Sequence, residues 1–253
     1  MISRRDYTIS ILAGATSFPP ISAGESRTEI EAPLFELKFP SFKLLRKPTG
    51  QTTYGYRIPD KAKKEKVNAI LAATPAGPRP IDIAQSFVDR FYKSEPLTIS
   101  QRPSDDAWNP LIVEFFSATG DPANSDMIPW CAAFANWCLR RAKRNFTSDA
   151  GSQSFLQDKR FKTVTEPEIG DLVVFTCYGK ASKKSVGLGH VAFVKEKPDG
   201  TSITVVGGNQ SRDGHSSIIS HVVYPLGDRE ITRTIAGRKV PVVMRKSAYI
   251  SVS

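Results

Sequence analysis

Cysteine and histidine are scarce in this chain, with three of each in 253 residues. No two cysteines stand in a C-x-x-C arrangement, which argues against a structural zinc site; no metal and no organic cofactor is expected. Long apolar runs are also lacking. No stretch approaches the roughly 18 apolar residues that span a bilayer, so no membrane span is expected. Blocks of one charge sign are missing too. The formal net charge is +10, yet Lys and Arg are scattered, with no zinc-finger spacing and no helix-turn-helix signal. A nucleic-acid partner is therefore not expected. A solvated basic surface, or attraction to an anionic cell envelope, accounts for the balance. Internal repeats and low-complexity tracts are absent as well.

What is present is ordinary globular composition, 40% hydrophobic, in a length that suits one sizeable domain with an extension. The chain opens MISRRDYTISILAGATSFPPISAGES. Arg4 and Arg5 precede a short apolar run, and small residues follow to Ala23, the layout of a secretory signal. Ser-Arg-Arg-Asp-Tyr resembles a twin-arginine export signal, although Thr8 and Ile9 depart from its usual continuation. Residues 1–23 are read as this signal, and the mature protein as periplasmic or secreted; the other reading is a frayed terminus or a first strand. In an oxidising compartment an odd cysteine count leaves one thiol unpaired. One reading pairs Cys138 with Cys177 and leaves Cys131 free; the other makes both small buried hydrophobes.

Pro33, Pro40, Pro48 and Pro59 interrupt residues 24–58, leaving at most a short strand near Leu34–Phe39. Helices are expected over residues 60–73, with Asp60 as cap, and from Asp82, where Ile83, Phe87, Val88 and Phe91 recur at helical spacing. Residues 24–106 form this extension, and 107–253 the main domain. Asn109 with Pro110 opens a third helix, and the Ala-rich run from Cys131 to Lys143 a fourth, its basic end suited to the helix dipole. Beyond residue 163 the pattern turns to strands: 171–177, 190–196, 202–206, 218–224, 230–235 and 240–244. Lys197–Gly200 joins two of them as a hairpin. Helices first and strands later predict an α+β domain with an antiparallel sheet.

Chemistry centres on Cys131. A cysteine attacks as its thiolate, and the mouth of a helix favours that anion. Cys138 and Cys177, mid-helix and mid-strand, suit a structural role. A thiolate nucleophile also needs a proton carrier. His190 follows the glycine-containing run Lys183–Gly189 and is expected to open a strand. His215 sits in a polar loop, and His221 lies within a strand as a structural residue. Asn209 and Gln210 stand just past the next strand, where either amide carbonyl is able to orient the imidazole; alone, Asn209 after two glycines also reads as a turn residue.

PWCAAFANWCL, GDLVVF, GHVAFV and VVGGNQS together resemble the NlpC-like and CHAP (cysteine, histidine-dependent amidohydrolase/peptidase) superfamily over about residues 107–226. The resemblance implies a papain-like fold, with the Cys-bearing helix packed on a small antiparallel sheet. It implies a cysteine peptidase or amidase cleaving peptidoglycan. Cys131 would be the nucleophile, His190 the base and Asn209 the third polar residue, with Gln210 as the alternative. Trp130, Asp126 and Gln210 would support the site or meet substrate. Many relatives carry a Glu where this chain has Gly207. Peptidoglycan stem peptides are the implied partner, and an inhibitor or immunity protein a further one if the enzyme acts as an effector. A wall-binding scaffold or an acyl transferase of the same fold are the alternative functions.

Overall fold

A computed structural model describes residues 60–101, 108–120, 123, 125–211, 216–235 and 238–252. The export signal, the short strand near Leu34–Phe39 and His215 lie outside these residues. The described residues all fall within one compact unit, Ala32–Ser253.

The first three helices start where the sequence supplies a cap or a proline. Helix α1 (Lys61–Ala72) begins where the Asp60 side chain accepts the Lys63 N–H at 2.8 Å, satisfying a donor that the helix itself leaves open. Helix α2 (Pro80–Phe91) carries Pro80 in its first turn and buries Ile81, Ile83, Ala84, Phe87 and Val88. Helix α3 (Pro110–Phe115) opens on Asn109, whose Oδ1 accepts the Leu111 N–H at 3.0 Å, and tightens into a 3₁₀ turn over Phe116–Ala118. Helix α4 runs Cys131–Arg141. A 3₁₀ turn at Pro96–Ile99 and helix α5 (Ser154–Gln157) were not expected. Both are too short to show a hydrophobic period.

Among the described residues, seven strands form one sheet: β1 (Lys162–Val164), β2 (Leu172–Gly179), β3 (Ser185–Val194), β4 (Ser202–Ser211), β5 (Ser217–Pro225), β6 (Arg229–Ile235) and β7 (Arg238–Ser251). Their order is β1-β7-β2-β3-β4-β5, with β6 also paired to β7, and the pairings are antiparallel. This is the α+β architecture expected, helices against an antiparallel sheet. Three boundaries differ. Strand β3 starts at Ser185, five residues before His190, because Tyr178 pairs with Ser185 and draws the glycine-containing run into the ladder. Strand β4 continues through Gly207–Gln210 as far as Ser211, held by β5. Strand β7 continues past Met244 to Ser251, where β1 and β2 pair with it.

The sheet separates two apolar clusters, as the period-2 alternation of strand side chains requires. Val174, Val191, Phe193 and Val206 face the helices, in one cluster with Phe87, Phe115, Trp130, Phe134 and Trp137. Val67, Ile70 and Leu71 of α1 belong to that same cluster, so residues 60–91 share a core with the helix that carries Cys131. Burying each such side chain contributes about 1.5–3 kcal/mol. On the other face, Val173, Phe175, Ala192, Val194, Val205, Tyr224 and Met244 cluster, and Ile231 and Ile235 of β6 pack against them. Cys138 lies in the first cluster and Cys177 in the second. All three thiols are free and buried, so the Cys138–Cys177 pairing is not formed; the sheet stands between them.

Candidate active site

Cys131 is the first residue of α4. The first bond of the helical ladder is Phe134 N–H to the Trp130 carbonyl at 3.0 Å. The preceding N–H groups therefore have no partner within the helix. Those of Cys131 itself and Ala132 lie near the Cys131 sulfur, as does the Val191 N–H of β3, and all three favour its thiolate. That last donor is available because of the sheet. Strands β3 and β4 pair only at Phe193↔Val206 and Val194↔Val205. The Val194 N–H points towards β2, donating to the Asp171 carbonyl at 2.7 Å. By alternation the Val191 N–H points the other way, to the β4 edge, where the ladder has already ended. The sulfur lies near that N–H.

Cys131 is only 4% exposed. Burial pushes its thiol up from the ordinary range, and the N–H groups of Val191 and Ala132 and the charge of Arg233 oppose that rise. The helix mouth alone suggested a thiol lowered in the resting protein; desolvation outweighs it.

His190 stands in the middle of β3, opposite Phe175, and not at a strand's start as expected. It is as buried as Cys131. Its position alternates with Val191, placing it with Ala192 and Val194 on the face away from α4. The Tyr224 ring lies 5.5 Å from the imidazole, and Phe175 lies 5.1 Å from Tyr224. Burial, followed by the charges of Arg233 and Arg229, pushes His190 down to about 3. Its Nε2 is buried without a hydrogen-bond partner. Gly189, just before it, has no room for a side chain: the Phe175 carbonyl and the Gln153 amide occupy the place. Gln153 donates to that carbonyl at 3.0 Å and accepts from Thr176 Oγ1 at 2.6 Å, which ties α5 to the sheet beside His190.

Residues 123–209 match the family model described as the CHAP domain. These residues form a CHAP domain. No curated protein and no solved structure matches the chain at a significant level.

The CHAP match ends on Asn209, and there the structure differs from the expected triad. Asn209 has a positive φ of 58° at an irregularity in the β4–β5 ladder between Gly207 and Gln210, a bulge that bends the strand. No hydrogen bond joins Asn209 or Gln210 to His190 among the described residues. Gln210 is buried; its Oε1 accepts from Ser220 Oγ at 3.3 Å, and its Nε2 is buried without a partner. A Cβ on Gly207 would stand 2.8 Å from that of Ala192 and 3.0 Å from Gln210 Nε2. The space that a Glu would take in other CHAP domains is thus filled by Ala192 and the Gln210 amide. Ring packing by Tyr224, and not an amide, restrains the imidazole.

Trp130 and Asp126 support the CHAP domain from within. Trp130 is fully buried, donates from Nε1 to Ser217 Oγ at 3.0 Å, stacks on Phe115 at 6.1 Å and meets Phe134 edge-on. Asp126, also fully buried, accepts the Asn109 N–H on Oδ2 at 3.0 Å and so ties the loop before α4 to the start of α3. His221 is exposed on β5, with Nε2 2.7 Å from Gln85 Oε1, and has no part in the site.

Sequence reasoning passed over Tyr224, Arg229 and Arg233. Both arginines raise the cost of charging His190, and Arg233 also acts on Cys131. One signal for them was visible: in R-E-I-T-R-T-I, a period of two sets Arg229 and Arg233 on the same side as Ile231 and Ile235. Among the described residues no helix is long and apolar enough to cross a membrane, and no group of three or more His, Cys, Asp and Glu is placed to hold a metal ion.

Proposed function

We propose that this protein is a cysteine hydrolase that cuts an amide bond in bacterial peptidoglycan, with Cys131 as nucleophile and His190 as proton carrier. The observation that supports this most is the placing of the Cys131 sulfur at the open mouth of α4, against the backbone of the residue that follows His190. A thiol there is aimed at the gap between β3 and β4, with N–H donors already gathered around it. In the attack step His190 takes the thiol proton through the opening where the β3–β4 ladder has ended, as the sulfur bonds to the amide carbonyl carbon. The Cys131 N–H, uncommitted to the helix ladder, meets the oxyanion. Imidazolium then gives its proton to the leaving amine, and water releases the acyl group from sulfur. Low resting basicity of His190 implies that substrate must change its surroundings before the proton moves.

The family resemblance of the CHAP domain directs this chemistry to stem peptides, and a net charge of +10 favours approach to an anionic wall. The basic, then apolar, then small-residue start of the chain supports export to the periplasm or beyond.

Purified peptidoglycan incubated with the wild-type protein and with Cys131→Ala, followed by mass spectrometry of the released fragments, tests the proposal. New fragments from the wild type alone are expected. Their masses separate an endopeptidase, which cuts within the stem, from an amidase, which frees the stem from sugar. Identical fragment patterns from the two proteins would remove the hydrolase reading.

A further inference from the structure

We propose that Arg229 and Arg233 form a cationic subsite that holds a carboxylate of the substrate beside the scissile amide. The proposal rests on the reading of Cys131 as nucleophile and adds to it what the substrate must carry.

Strand β6 alternates. Glu230 and Thr232 are exposed, whereas Arg229, Ile231, Arg233 and Ile235 are half-buried. The two isoleucines of that row pack against the cluster on the face that carries His190. An inward strand position ordinarily takes an apolar residue, because withdrawing a guanidinium from water is costly unless an anion meets it. The outward cations nearby do have anions: Arg245 is paired with Asp228 at 2.7 Å, and Lys180 with Glu230 at 2.9 Å. Among the described residues no carboxylate pairs with Arg229 or Arg233. Their contacts are of other kinds. The Arg229 guanidinium lies over the Tyr224 ring at 5.2 Å, and Arg233 reaches the Met244 sulfur at 3.9 Å.

Tyr224 links them to the chemistry, since the ring under Arg229 is the one 5.5 Å from His190. The charge of Arg233 is felt at Cys131, His190 and Tyr224 alike. The two positions are four apart on one strand, about 13 Å at the backbone, so only their long side chains converge on this region. A guanidinium presents a planar fork of donors that matches a carboxylate. A peptide with a free carboxylate next to the amide to be cut is the ligand that fits. Its arrival has a second effect. A carboxylate beside the two cations offsets the repulsion that opposes protonation of His190, so imidazolium forms more readily once substrate is seated.

Alkylation of Cys131 in the full-length protein tests this, with iodoacetate, which carries a carboxylate, against neutral iodoacetamide. Rates are read at the Cys131 peptide by mass spectrometry and expressed as the iodoacetate-to-iodoacetamide ratio, with glutathione as the free-thiol standard. Forming the ratio cancels any change in thiol ionisation common to both reagents. Wild type is expected to exceed the glutathione ratio several-fold, and Arg229→Gln/Arg233→Gln to fall back to it. Should that double variant fail to fold, the single variants Arg229→Gln and Arg233→Gln read the same ratio. A wild-type ratio equal to that of glutathione, or one unchanged by the glutamines, overturns the subsite and leaves the nucleophile standing. A Cys131 inert to both reagents overturns the nucleophile, and the subsite with it.

Discussion

The backbone N–H of Val191 lies near the sulfur of Cys131 and favours its thiolate, so the first residue of α4 sits beside the residue directly after His190 on β3. Position along the helix and position along the sheet are thereby coupled through one donor. The coupling needs α4 to lie close on the sheet, and Gly208 permits it: a Cβ there would run into the Trp130 ring and stand 2.9 Å from the Phe134 Cβ. Gly208→Ala should therefore push the start of α4 off the sheet, at a cost of about 1–3 kcal/mol. Denaturant unfolding measures the loss, and alkylation of Cys131 should change with it. An unchanged midpoint and rate would mean that α4 is not held as described.

Stability should fall on acidification because of His190. Its ordinary value is 6.5, and burial with the two arginines brings the folded-state value to about 3. Between these limits the unfolded chain binds a proton that the folded one refuses. Stability is therefore fully present above about 6.5 and is lost as pH falls towards about 3, at roughly 1.4 kcal/mol per pH unit. Denaturant melts of wild type and His190→Gln across that range should converge as the pH drops. Parallel curves would show that His190 takes up its proton freely in the folded protein.

The Cys131 thiol should titrate above the ordinary cysteine range, since burial raises it more than its N–H donors lower it. Ultraviolet thiolate absorbance, wild type minus Cys131→Ser, follows this directly. Removing the Arg233 charge by Arg233→Gln should move the midpoint higher still. A thiolate already formed at neutral pH in the free protein would mean that the donors and the cation outweigh burial.

Asp126 should matter for stability more than for chemistry. Its Oδ2 takes the buried Asn109 N–H at 3.0 Å, and Asn109 in turn caps α3 and donates to the Thr98 and Ser100 carbonyls. Asp126→Ala should cost about 1–3 kcal/mol by leaving that donor unmet, with Asp126→Asn, which retains an acceptor, milder. Thermal melts rank the two. Equal losses would point to the charge of Asp126 and not to its acceptor oxygen.

Asn209 offers a sharper test of the site. Its φ of 58° lies in the region that glycine adopts without cost, and it makes no hydrogen bond to His190 among the described residues. Asn209→Gly should keep the rate of peptidoglycan cleavage within a few-fold and leave the melt unharmed, whereas Asn209→Ala should lose about 1–2 kcal/mol. A fall in rate of tenfold or more in the glycine variant, with an intact melt, would mean that Asn209 turns onto the imidazole during turnover.

Local features of the sequence were enough to identify the four principal helices, the strands that flank His190 and the position of Cys131 at a helix start. Caps, proline positions and hydrophobic periods act over a few neighbours, and such signals survive into the fold. The match to the CHAP domain rests on motifs of the same local kind. Tertiary structure decided the rest. Only β2, by pairing with residues 185–189, made His190 a mid-strand residue, and only the early end of the β3–β4 ladder freed the Val191 N–H for the sulfur. Burial of Cys131 and His190, the absence of an amide on His190 Nε2, and the arrival of Arg229 and Arg233 from β6 depend on which surfaces meet. Those are contacts between residues far apart in the chain, and desolvation arises from the sum of them, so no short window of sequence carries either.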